Sequence, residues 1–195
     1  MTADEQGNDL DAVGVPITGM LAFAPLNEAN VIPKEDLGAK PLELPNAYKR
    51  LGLYKVDGGP ADTRESGDAL EFFQQGYKLS GSGTRRVKIT LAEMNDAVMA
   101  LIEGKEPDEN GVIEVSSSLP DNRFILLDVT KYRNAKERRR NGVAFVSAVE
   151  PDQQTRGEVE GVAVTFDWLE DDLFNGAPFH QWGPAVPEAQ TEAPG

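Results

Sequence analysis

A chain of 195 residues, 39% hydrophobic and 27% charged, is long enough for one domain with a sizeable core. It contains no cysteine, which excludes disulfides, thiolate metal sites and a cysteine nucleophile, and suits a protein made in a reducing cytoplasm. The net charge of −14 is uneven, −6 over residues 1–80, zero over 81–150 and −8 over 151–195, so the chain as a whole repels nucleic acid.

Residues 1–12 are polar and acidic and read as a flexible arm; they lack the basic start and apolar stretch of a secretory signal. "GVPITGMLAFAP" (14–25) predicts a strand bounded by Gly and Pro. Residues 27–46 hold three prolines and little periodicity and read as an extended excursion, functional or adaptable. "LGLYKVDGGP" (51–60) poses a choice between a phosphate cradle and a turn. No helix opens after Pro60 to hold an anion, so its glycines serve backbone geometry. "LSGSGTRR" (79–86) fails the same test, since it lacks the GxxxxGK[ST] spacing and leads into a strand.

Later strands are predicted over 70–79, 84–89, 112–117, 123–130, 143–149 and 157–169. One helix is predicted over 91–103. Thr90 and Glu93 form a capping box, Met94, Val98, Leu101 and Ile102 share an apolar face, and Gly104 supplies the stop. "KYRNAKERRR" (131–140) places six basic residues and one acid between two strands. It reads as a loop or hairpin end: a solvated tip, or a salt-bridge surface for another copy of the chain. From residue 184, "PAVPEAQTEAPG" has nothing to bury and reads as a disordered tail. The expected fold is therefore mainly β (α+β), a β-sandwich or partial barrel over 13–183 with one flanking α-helix and long extended loops and termini.

Candidate chemistry is sparse. His180 is the single histidine; set between Phe179 and Trp182, it reads as a packing residue. "LEDD" (169–172) brings three carboxylates together without EF-hand spacing and reads as a solvated loop. No catalytic, cofactor or metal site is expected, and no membrane span, because the apolar runs are only a handful of residues long.

In order, the segments "ITGMLAFAP", "NVIP", "LGLYKVDGGPADTRES", "EFFQQGYKL", a basic strand and "TLAEMNDAVMALIEG" resemble the major tail proteins, or tail tube proteins, of siphophages. The likeness covers residues 15–168 and is closest to those of phages infecting actinobacteria. It implies a tail-tube-like sandwich that is not an enzyme. Its copies would join edge to edge into rings, usually hexameric, that stack into a tube conducting phage DNA without binding it specifically. The implied partners are the chain itself and the tape measure, tail terminator and distal tail proteins; the implied location is the virion tail, after assembly in the host cytoplasm. Alternatives are a related secretion-tube or baseplate component, or a carbohydrate-binding sandwich. Within the tail-tube reading, Arg133, Lys136, Arg138, Arg139 and Arg140 are the inter-subunit candidates. Acidic Glu65, Asp68 and Glu71 on a neighbour would face them, and Asp57, Gly58 and Gly59 would form an extended loop touching the adjacent ring. A surplus of acid on the lumen would keep DNA from adhering.

Overall fold

Seven consecutive residues, Phe124 to Thr130, are buried, and the fold is built around them. The structure, a computed structural model, describes residues 4–183. Its strands are β1 (Pro16–Pro25), β2 (Lys49–Arg50), β3 (Ala61–Ser66), β4 (Leu70–Glu71), β5 (Lys78–Leu79) and β6 (Gly83–Leu91). After helix α1 (Asp96–Glu103) come β7 (Phe124–Tyr132), β8 (Glu137–Pro151), β9 (Val162–Leu169) and β10 (Phe179–Trp182). The main sheet is antiparallel in the order β2-β1-β7-β8-β9-β6-β3, with β10 added on β8, while β4 and β5 form a separate hairpin.

Strand β8 folds this sheet on itself. Its first half, Glu137 to Ala144, pairs with β7; its second half, Val143 to Pro151, pairs with β9. A register shift between Val146 and Ala148 marks a bulge, which bends a strand and tightens its twist. Leu21, Ile89, Phe124, Leu126, Val164 and Phe166 consequently meet in one core between the two halves. The outer face of β7 is covered as well. Ile32 and Leu37, from the irregular excursion, pack on Leu127 and Val129, and Phe174 packs on Ile125 and Val143. The excursion thus serves as a core cover in this chain, which is why β7 reads as a continuous apolar run. The architecture is a mainly β sandwich or partial barrel with one flanking helix among the described residues.

The helix begins later than its sequence pattern predicts. Thr90 lies in β6, where its amide donates to Gly58 O at 2.9 Å, so it cannot cap. Asn95 caps instead, its side chain accepting from the Val98 amide at 3.0 Å, and Glu93 accepts from the Leu53 amide at 3.1 Å. Gly104, left-handed at φ 68°, ends α1. Val98, Leu101 and Ile102 are buried in the main core. Met94, expected on that face, precedes the helix and is 46% exposed.

Other expectations are corrected too. The strand predicted over 70–79 is a hairpin, turned through Gly76 at φ 92°, with the Phe72 amide donating to Tyr77 O. Residues 112–117 form no strand; Asp108 instead accepts from the amides of Asn110 and Val112, closing a polar loop. β8 starts six residues before position 143 and takes in Arg138, Arg139 and Arg140, which the sequence pattern places in a loop or hairpin end. Residues 4–12, expected to be part of an arm, hold a turn in which Asp4 binds Asn8, then a 3-10 turn at Leu10–Ala12. The tail expected over 184–195 lies outside the described residues.

Candidate functional site

The basic segment is not a solvated tip. The hairpin end is only residues 133–136, turned through Ala135 at φ 62° and tied down by the Arg133 amide donating to Val15 O. Arg133 is exposed there and Lys136 half-buried. Arg138, Arg139 and Arg140 lie within β8, and Arg139 and Arg140 are each only 3% exposed. Buried guanidinium groups need partners. Those of Arg139 are Glu137 at 2.7 Å and the carbonyls of Leu37 and Ala39, with Trp182 stacked at 5.0 Å. Arg140 is fixed by Asp128, its cross-strand neighbour on β7, through Nε at 2.9 Å and through Nη2, and by Asp62 of β3. Arg138 reaches the same Asp62 at 3.0 Å. The edge strand β3 is therefore clasped across the open end of the partial barrel by charge. Burial pushes the Asp128 carboxyl above its ordinary range, against the pull of Arg140. For Arg140, burial acts to lower the value, but the Asp128 and Asp62 carboxylates overcome it and hold the guanidinium protonated. As candidates for contacts between copies, Arg139 and Arg140 are thus corrected to internal ties.

The "VDGGP" turn is also internal in part. Gly58 is buried against Thr90, with no room for a side chain, while Asp57 and Gly59 are exposed. It is a tight turn on β6 rather than an extended loop.

The extended loop lies further on. Residues 67–82 leave the end of β3 as an arm whose neck brings Gly67 and Gly81 so close that a Cβ on Gly81 would meet backbone at 2.4 Å. Leu70 pairs with Leu79 and Glu71 with Lys78, the latter pair bridged at 2.5 Å. Of the acidic contact candidates, Glu71 is thus engaged within the arm, Glu65 lies 3.4 Å from Arg86 on β6, and Asp68 is exposed at the neck. Leu70, Phe72, Phe73, Tyr77 and Leu79 are all exposed. A two-stranded hairpin is marginal in water by itself, and this much apolar surface on one projection marks a contact surface. The sequence pattern over 70–79 reads as a single strand; the signal for the hairpin is the polar QQG within "EFFQQGYKL". Asp62 carried no such signal, because its role depends on a strand distant in sequence, and Asp128 carried none because its pairing with Arg140 depends on the register of the β7–β8 hairpin.

The remaining candidates fall into packing roles. Asp171 accepts from the Leu173 amide and caps the 3-10 turn that buries Phe174, so "LEDD" is not simply a solvated loop. His180 sits 5.1 Å from Phe174 in an edge-to-face contact. Trp168 is buried and Trp182 is packed beneath Arg139, so neither offers a platform for a sugar ring. Among the described residues no three His, Asp or Glu side chains gather as a metal site.

No family model matches the chain, and no curated protein matches it. Among solved structures it is similar to the SPP1 tail tube, with TM-score 0.43 and 11% identity over 76% of this chain and 72% of that one. It is also similar to the baseplate of the anti-feeding prophage, with TM-score 0.46 and 10% identity over 90% of this chain and 99% of that one. These likenesses are to a phage tail tube and a prophage baseplate, and neither bears on the bacterial host group.

Proposed function

We propose that this chain is a structural subunit of a phage tail whose copies join edge to edge into rings, and that the rings stack into a tube conducting DNA. The observation that carries this reading is the arm at 67–82, whose exposed Phe72 and Phe73 have no core of their own and need a second surface. The sheet ends support it, since β2 and β3 are left as edges and ring closure would cover them. The charge of −14 supports a conduit that DNA does not adhere to, through a field reaching about 8 Å at physiological salt. On this reading the rings follow the hexameric pattern of the resembled family. The tape measure, terminator and distal tail proteins meet the tube at its axis and ends, and the protein passes from host cytoplasm to virion.

The test is light scattering and negative-stain microscopy of the purified chain over a range of concentrations. Rings or tubes are expected, and Phe72→Ser with Phe73→Ser is expected to remain folded and monomeric. A folded wild-type protein that stays monomeric at high concentration refutes the reading.

A further inference from the structure

One end of strand β9 adjoins two arginines without ion pairs among the described residues, and the other a loop that exposes two glutamates. At its C-terminal end an open cleft of about 840 Å³ is lined by Arg64, Thr84, Arg85, Phe145, Trp168 and Phe179. Arg64 and Arg85 are direct cross-strand partners on β3 and β6, an arrangement that like charges disfavour. Neither has an ion pair among the described residues, whereas Arg86, Arg138, Arg139 and Arg140 all do. The Arg85 guanidinium lies over the Phe179 ring at 5.4 Å, and that ring packs on Trp168 at 4.9 Å. Trp168 is 6% exposed, and its buried Nε1–H has no acceptor. Two carboxylates also border the cleft: Asp167, taken up by Arg86 at 3.1 Å and Ser147 at 2.6 Å, and Glu170, exposed at the rim. What this donor set lacks is an incoming oxyanion beside an apolar group.

The other end of β9, eight residues and about 26 Å away, offers that combination. The loop from β8 to β9 exposes Glu158, Val159 and Glu160 in sequence, with Arg156 before them. Its base is fixed by Lys55, which bridges Asp152 at 2.6 Å and packs on Gly161. Exposed Leu53 and Val56 adjoin Lys55, apolar surface on the end opposite the one from which the arm projects.

We infer that copies stack head to tail, with the Glu158–Val159–Glu160 tip of one copy seated in the Arg64/Arg85/Trp168 cleft of the next. The carboxylates neutralise the two arginines, and Val159 lies against Phe179. Complementary but different surfaces at opposite ends of a subunit propagate into an open stack instead of closing a dimer. The inference rests on the self-assembly reading and names the surfaces that meet.

The test does not require assembly. Trp182→Phe leaves Trp168 as the single indole of the chain. Dilute full-length protein carrying that change is titrated at low salt with a peptide copying residues 155–162. A saturable change in Trp168 emission is expected, at least ten-fold weaker when both peptide glutamates are glutamine or when Arg64→Gln and Arg85→Gln are introduced. No saturable change, or an equal response to the glutamine peptide, overturns the inference even if the wild-type chain forms tubes. A specific response in a protein that never assembles would uphold the cleft while removing the tube reading. In assembled material the chain lacks native cysteine, so Thr84→Cys with Val159→Cys should give a ladder of cross-linked copies. Assembled protein that gives none also overturns the inference.

Discussion

Asp128 is the residue whose replacement tests the internal clasp most directly. Its carboxylate is fully buried and binds Arg140, itself nearly buried, in the middle of β7 and β8. Asp128→Ala leaves that guanidinium inside the sandwich with Asp62 as its only carboxylate partner. Breaking a buried pair from one side typically costs about 3–5 kcal/mol. Asp62 stays in place but is partly solvated and shared with Arg138, so it offsets a minor part, and a loss of about 2–4 kcal/mol is expected. For a chain of this size that is a fall in Tm of roughly 4–16 °C. The double replacement Asp128→Leu with Arg140→Met removes both charges and fills the space with apolar atoms, so it is expected to be markedly milder than the single change. Urea unfolding followed by circular dichroism measures all three chains. An Asp128→Ala protein within about 0.5 kcal/mol of wild type, or a double variant as damaged as the single, would refute the reasoning. The same logic bears on reversing Arg138, Arg139 and Arg140 to Glu. A solvated tip would tolerate that change, but here it sets carboxylates beside Asp128, Asp62 and Glu137 and should abolish folding.

Three further outcomes are expected. Leu101→Ala should cost about 2–5 kcal/mol in chemical unfolding, whereas Met94→Ala, outside the helix and half-exposed, should stay within about 0.5 kcal/mol. Asn95→Ala should lower stability by about 1 kcal/mol through loss of the α1 cap, and Thr90→Ser should leave that cap intact; both are read from the same unfolding curves. Burial of His180, with Lys34 adding repulsion, lowers its pKa below the ordinary 6.5, so the unfolded chain binds the proton more readily. Stability should therefore be full above pH 6.5 and decline as pH falls through that value, and His180→Gln should flatten the slope of Tm between pH 7 and 5.5.

What could be read in the sequence was local, and what could not was the product of pairing at a distance. β1, β6 and β7 announce themselves through apolar or β-branched runs bounded by Gly, Pro or polar turns, and the structure places strands there; of the strand expected over 157–169 only Val162–Leu169 forms, since "GEVEG" before it stays in a loop. α1 keeps Val98, Leu101 and Ile102 on its buried face and its glycine stop, but it starts later, because Thr90 belongs to β6, paired with Ala163, and Asn95 is the cap. β3 escaped detection because "ADTRES" has no apolar face to show; it is an edge strand held on one side by β6 and across the barrel mouth by Asp62. The arginines of β8 misled for the opposite reason. A run of cations reads as solvent-facing until Asp62, far away in sequence, and Asp128, across the β7–β8 hairpin, stand beside it in the fold. With Arg139 and Arg140 committed to internal partners, Arg64 and Arg85 remain without an ion pair among the described residues and face a cleft at the end from which the apolar arm projects. On the proposed stacking, the hydrophobic arm and the two guanidinium groups lie at the same end of a subunit and would act on the same neighbour, offsetting the repulsion between copies of net charge −14.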